Sequence, residues 1–299
     1  MNVKGPAILA CILWGSAFAA AKIGFEYMEP MRLSGVRFTL AGLMLLPVLF
    51  LKKISIRETF IHWKFILFFA FLQSFLQYGL FFMGLNKVPA ASSAVIVGAG
   101  PLFIAIMAHL FMKNDKISPR KIFSILLGLS GVVFISVTKG DFNGSGKEFY
   151  IGLALLIISN IIGGSTNIFV AKYKGNINPI ALTAFANFFG GVLLFCFSLL
   201  AEDSKQMGYP ADFWVALLWL AFIPAAGFSI WYTQLQKPSV KVSELNMWKF
   251  IIPITGAILS WILLPEETPN IYSVSGIIII TAALLLFQIP TRKKEKNTD

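Results

Sequence analysis

Runs of about twenty apolar residues follow one another along the chain, separated only by short polar connections. A helix needs about 20 mostly apolar residues to cross a bilayer. By that length the chain reads as ten spans, at 5–25, 33–51, 63–86, 89–112, 119–138, 150–171, 178–200, 213–235, 240–264 and 271–289. The connections leave no room for a separate soluble domain. The pattern predicts an all-α integral membrane protein.

One span breaks its own pattern. The stretch from Val240 to Pro265 is long and apolar enough to cross, yet carries Glu244, Asn246, Trp248 and Lys249 in its first half. A charge at membrane depth costs at least ~2.5 kcal/mol, so it is rarely kept without a role. At about 100° per residue Glu244 and Trp248 share one helix face, whereas Asn246, Lys249 and Pro253 cluster on another. A straight helix cannot aim both charges at one spot. Pro253 removes the hydrogen bond to the carbonyl of Lys249, so a kink is expected beside the ammonium.

Composition agrees with the membrane reading. The chain has 299 residues, of which 57% are hydrophobic and 13% charged, with a mean hydropathy of +0.76. A soluble domain of that length needs more surface charge. The net charge of +11 sits in short clusters between apolar runs, which is a topology signal and not a nucleic-acid-binding face. With the N-terminus in the cytoplasm, seventeen Lys and Arg fall inside and seven outside, Lys249 being the remaining one of 25. Both termini are therefore expected in the cytoplasm. Cys11 and Cys196 lie in apolar runs, as small hydrophobes and not a disulfide framework. The first apolar run lacks the short core and cleavage site of a secretory signal and reads as a retained span.

The chain also repeats. Residues 88–115 align with 240–267 at an offset of 152, which pairs Pro101 with Pro253 and Asp115 with Glu267. Weaker echoes pair Pro30 with Pro179 and Ala41-Gly42 with Gly190-Gly191. The units are 1–138, 149–289 and a basic tail at 290–299. Each half holds five spans, an odd number, so the second half must insert inverted relative to the first. Inverted repeats place a substrate site near mid-membrane at the repeat interface.

Several residues resemble the EamA-type members of the drug/metabolite transporter superfamily. Trp14-Gly15-Ser16 resembles the family's opening motif, as do Pro30, Arg37 and Ala41 around the second span. The fourth span, with small residues Ala90 to Ala94, then Gly100-Pro101-Leu102 and Asp115, looks like the same family, and Pro179, Pro253 and Glu266-Glu267 continue the plan. The resemblance covers essentially the whole chain. It implies ten helices in two inverted five-helix repeats. It also implies a central cavity lined by the first, third, fourth, sixth, eighth and ninth spans, and export of small metabolites, often amino acids. The chain departs from the pattern where Asn160 to Ser165 replace the Trp-Gly-Ser motif, and where Glu244, Trp248 and Lys249 have no counterpart in the first half. The asymmetry that sets the substrate is thus sought in the ninth span.

Each candidate has two readings. Lys249 either holds a substrate carboxylate, or pairs with Glu244 or snorkels toward the cytoplasm. Glu244 either binds an amine or a coupling proton, or forms a structural ion pair. Trp14 and Trp248 stack on a substrate or serve as packing and interfacial anchors. Ser16 and Asn246 are read as lining the site. Gln73, Gln77 and Tyr78 on the third span, and Asn160 and Asn167 on the sixth, face the cavity or bond between helices. Trp231, Tyr232 and Gln234 read as lining or anchors, and Arg37 as a structural partner of Glu26, Glu29 or a backbone carbonyl. Pro101 and Pro253 are candidate hinges. His62 and His109 stand alone, so no metal site is expected. No phosphate-binding loop, nucleophile elbow or dinucleotide turn occurs, so neither a catalytic residue nor a cofactor is expected. The expected function is a secondary transporter, an exporter of small metabolites such as amino acids or related zwitterions, in a bacterial-type inner membrane. Its expected partners are the substrate and the lipid bilayer, and the small-residue patches would permit a homodimer without requiring one. The alternatives are an integral-membrane transferase on lipid-linked substrates, or a passive facilitator of the same fold.

Overall fold

The computed structural model describes residues 3–85, 87–88, 96–137, 146–173, 176–203, 208–263 and 269–288. These residues form helices and no strand. In chain order the helices are α1 (Lys4–Tyr27), α2 (Pro30–Leu51), α3 (Ile56–Phe60), α4 (Trp63–Ala70) and α5 (Tyr78–Leu85). They continue with α6 (Gly100–Phe111), α7 (Pro119–Val137), α8 (Lys147–Lys172), α9 (Pro179–Ala201) and α10 (Ala211–Leu235). Last come α11 (Val242–Met247), α12 (Ile251–Leu263) and α13 (Ile271–Gln288). A π-helical stretch, Phe71–Gln77, joins α4 to α5, and a 3₁₀ turn, Trp248–Phe250, joins α11 to α12. Among the described residues five helical segments are long and apolar enough to cross a membrane: Pro30–Leu51, Trp63–Gly84, Lys147–Lys172, Pro179–Ala201 and Ala211–Leu235. The expected contributions of Ala90 to Ala94, Glu266-Glu267 and the 290–299 tail lie outside the described residues.

Both prolines that align in the sequence stand at helix interruptions. Pro253 follows the 3₁₀ turn, and Pro101 follows a turn at Ala99 that separates it from the helical residues 96–98. A proline cannot donate to the carbonyl four residues back, so the helix re-forms around it only after a tighter turn.

Glycines set the closest helix contacts. On α2, a methyl placed on Gly42 would lie 2.6 Å from the Ala184 carbonyl oxygen of α9, and one on Gly191 of α9 would lie 2.9 Å from the Gly35 carbonyl oxygen of α2. The two backbones approach closely at both glycines, with the Phe188 Cβ also against Gly42, as small residues permit in membrane packing. The N-terminus of α2 is capped from the end of α9, where the Glu202 carboxylate accepts from the Met31 and Arg32 amides, each at 2.8 Å. Helix α1 packs on α10 and α12, and α8 packs on α5 and α6. Helices α7 and α13 pair separately, with Gly131 against Gly276 and Ile280.

A buried carboxylate joins the two halves at the start of α11. Asp115 is only 3% exposed. Its carboxylate accepts from the Ser243 amide at 2.7 Å and from the Lys121 ammonium at 2.8 Å, and Lys121 also reaches the Ser243 hydroxyl at 2.7 Å. The charge lies at the first turn of α11, where the helix dipole favours an anion.

Candidate functional site

Lys249 lies in the 3₁₀ turn and projects its ammonium between two indoles, 5.2 Å from the Trp231 ring centre and 5.8 Å from the Trp14 ring centre. The rings belong to α10 and α1 and lie 5.0 Å apart. Among the described residues the ammonium has neither a carboxylate nor a hydrogen-bond partner. Cation–π contact offsets part of its desolvation, at roughly 0.5–2 kcal/mol per ring. It leaves the ammonium's hydrogen-bonding directions unused.

Asparagines complete the site. The Trp231 Nε1 donates to Asn167 Oδ1 at 2.9 Å, and Asn246 Nδ2 donates to the same oxygen at 3.3 Å and to the Val242 carbonyl at 2.8 Å. Asn246 is fully buried, and its Oδ1 has no partner among the described residues; the Trp14 Nε1 is likewise buried without one among them. Two buried polar atoms are therefore left over, the donor on Trp14 and the acceptor on Asn246, in the residues that surround the half-buried Lys249 ammonium. Buried polar groups without partners are uncommon, and each asks for an explanation.

The indole of Trp14 is set by a missing side chain. A methyl on Gly227 of α10 would lie 2.8 Å from Trp14 Nε1. The opposite crossing reverses the roles: a methyl on Gly163 of α8 would lie 2.9 Å from Gln77 Nε2. Gln77 thus fills a helix–helix crossing, and its carbonyl accepts from Ser159 at 3.0 Å.

A second cation lies farther along the same aromatic wall. Arg37 is buried, with its guanidinium 4.9 Å from the Phe38 ring centre, 5.6 Å from Phe82 and 5.7 Å from Tyr78. Tyr78 is 6.5 Å from Phe228, which is 5.5 Å from Trp14. Arg37 meets no carboxylate among the described residues, so the expected pairing with Glu26 or Glu29 is replaced by stacking on rings.

The remaining sequence candidates are placed elsewhere. Glu244 pairs with Lys241 at 2.9 Å and, with Trp248, lines a separate cavity that Lys249 does not line. The face division read from the sequence holds, since Glu244 and Trp248 go one way and Asn246 and Lys249 the other. Ser16 donates to the Leu13 carbonyl at 2.8 Å and accepts from Trp219 Nε1 at 3.1 Å. Gln73 is buried in the π-helical stretch beside Ser74, whose hydroxyl also approaches Asn187 of α9. Asn160 donates to the Ile96 carbonyl at 2.7 Å, which satisfies the interrupted helix ahead of Pro101. Trp231, read from sequence as lining or anchor, is a direct contact of Lys249. Its spacing gave no hint, because α10 is apolar on all sides and does not reveal which face turns inward.

A family model for the EamA-like transporter family matches the chain twice, over residues 6–137 and 150–288. The chain belongs to that family. Among curated EamA-like relatives, an uncharacterized transporter of Archaeoglobus fulgidus is 24% identical over 95% of this chain and 98% of its own. The uncharacterized transporter YvbV of Bacillus subtilis is 25% identical over 96% of this chain and 90% of its own. A probable amino-acid metabolite efflux pump of Escherichia coli is 23% identical over 97% and 96%. A crystal structure at 16% identity shares the fold, with a TM-score of 0.82 over 94% of this chain and 95% of that one. As an EamA-like protein the chain is a transporter, and the helices long enough to span place it in a membrane as a multi-pass protein.

Proposed function

We propose that the protein is a secondary transporter that exports a small zwitterionic metabolite of the amino-acid class through a site at Lys249. The observation that carries this reading is the Lys249 ammonium, held over two indoles with no acid among the described residues to neutralise it. An ammonium kept at membrane depth without a counter-charge suits a carboxylate arriving from outside the protein. Trp14 Nε1 supplies a second donor for the carboxylate, Asn246 Oδ1 an acceptor for the amine, and the faces of Trp14 and Trp231 an apolar wall. The name of the Escherichia coli relative points to the same substrate class.

The reading includes ten spans in two inverted repeats, in a cell inner membrane with both termini cytoplasmic. Two observations support the repeat. The family model matches each half. In addition, an offset of 149 carries the Gly42–Ala184 contact onto the Gly191–Gly35 contact. Alternating access would rock one repeat against the other, with Pro101 and Pro253 as hinges beside the site. Glu244, paired with Lys241, is given no substrate contact in this reading.

Proteoliposomes loaded with a labelled mixture of amino acids and central metabolites test it, with mass spectrometry of what leaves under a pH gradient. Selective loss of a carboxylate-bearing compound from wild-type vesicles, abolished by Lys249→Ala, is expected. Loss unaffected by the substitution would remove Lys249 from the site. Accumulation against a gradient separates a coupled transporter from a passive facilitator.

A further inference from the structure

A cavity of about 580 Å³ opens apart from the Lys249 site, where the start of α1, the α6–α7 connection, the start of α11 and the end of α13 converge. Five basic side chains line it, Lys4, Lys116, Arg120, Lys121 and Lys241, against the one lining carboxylate of Glu244. Lys121 is neutralised by Asp115 at 2.8 Å and Lys241 by Glu244 at 2.9 Å, and Lys4 is engaged as well. Lys116 and Arg120 meet only carbonyl oxygens among the described residues: His109 at 2.7 Å for Lys116, and Leu286 and Phe287 at 2.9 and 3.0 Å for Arg120. The rest of the lining is mostly apolar, with Leu245, Met247, Leu284, Phe287 and Trp248, joined by the hydroxyl side chains of Ser118 and Ser239.

We propose that this cavity seats the headgroup of an anionic phospholipid. The positive excess selects a phosphate that carries no cation of its own, which disfavours phosphatidylcholine. A free anion would satisfy the same charges but leave the apolar half of the lining wet, whereas a lipid covers it with its acyl chains. Basic pockets between spanning helices at the cytoplasmic side have the composition expected of such sites. The placement rests on the reading above that the chain ends face the cytoplasm. Trp248 lines the cavity and the next residue is Lys249, both in the same 3₁₀ turn. An occupied headgroup site therefore braces the turn that carries the transport cation.

Native mass spectrometry of the full-length protein in detergent tests this, with phosphatidylglycerol or phosphatidylcholine added. One retained phosphatidylglycerol per chain is expected, with phosphatidylcholine washed away. Each surface cation contributes roughly fivefold to binding an anionic lipid, so Lys116→Gln with Arg120→Gln should cut retention by roughly 30-fold. Arg120 also holds the end of α13, so Glu244→Gln serves as a second variant that removes a competing acid; it should increase retention. Equal retention of both lipids, or retention unchanged in both variants, would overturn the proposal. Thermal stabilisation by millimolar inorganic phosphate equal to that by phosphatidylglycerol would overturn the lipid assignment in favour of a soluble anion. Retention is read by mass and needs no flux, so failure of the substrate reading and failure of this one are separately visible.

Discussion

Replacing Lys249 by Met separates a binding ammonium from a structural one by the sign of its effect on stability. The charge costs about 2.5–3.5 kcal/mol to hold at membrane depth. Its contacts with the Trp14 and Trp231 rings, at 5.8 and 5.2 Å, return roughly 1 kcal/mol each. Met matches the unbranched stem of Lys to Cε and drops only the terminal ammonium, so it keeps most of the packing against both indoles. The difference favours the variant by about 1 kcal/mol, or an unfolding midpoint higher by ~2 °C. Had Lys249 been one half of a buried ion pair, removing it would instead cost about 3–5 kcal/mol by stranding the partner acid. Thermal unfolding in detergent, followed by intrinsic tryptophan fluorescence, reads the sign directly. Export in proteoliposomes should be lost in the same variant. A midpoint lowered by several degrees would refute the conclusion that the ammonium lacks a protein partner, and with it the site.

Gly227→Ala inserts a methyl 2.8 Å from Trp14 Nε1, so the indole must move or the helices part; a loss of roughly 1–3 kcal/mol is expected, with substrate affinity falling more than in Gly79→Ala, where the methyl meets only Leu194 at 3.7 Å. Asp115→Asn leaves Lys121 without its acid beneath α11; a cost of about 3 kcal/mol is expected, recovered in part by Lys121→Met in the Asp115→Asn background, as a double-mutant cycle on unfolding midpoints will read. Glu202→Gln weakens the cap on α2; the fall should be about 1 kcal/mol and should shrink in high salt.

Length and hydropathy alone were enough to foresee the helical, membrane-spanning architecture, because ~20 apolar residues per segment is a one-dimensional property. The division of the stretch from Val240 to Pro265 was equally legible, since 100° per residue separates Glu244 and Trp248 from Asn246 and Lys249 without knowledge of any neighbour. Pro253 marked the interruption for a similarly local reason. What lay beyond the sequence was rotation. A helix apolar on every side, such as α10, gives no sign that Trp231 rather than Trp219 meets the ammonium. The ring cage around Arg37 draws on α2 and on α5, and the Asp115 bond to Ser243 crosses between halves; neither follows from any local pattern.

The α2–α9 crossing has a mechanical consequence. At Gly42 and Gly191 neither glycine carries a side chain to act as a soft spacer, so each rests directly on the other helix's peptide groups, Gly42 also on the Cβ of Phe188. Sliding one helix by a single residue would push a bulky neighbour, such as Phe188, into the opposing backbone. Turning about the point of contact displaces far less. The crossing is thus a fulcrum that permits tilt and forbids translation, and its two ends are lever arms tied down unequally. At one end Glu202 fastens the start of α2 to the end of α9. At the other end Phe60 packs edge-on against Phe185 and Phe189 of α9, so one arm is tied by directional hydrogen bonds and the other by ring contacts.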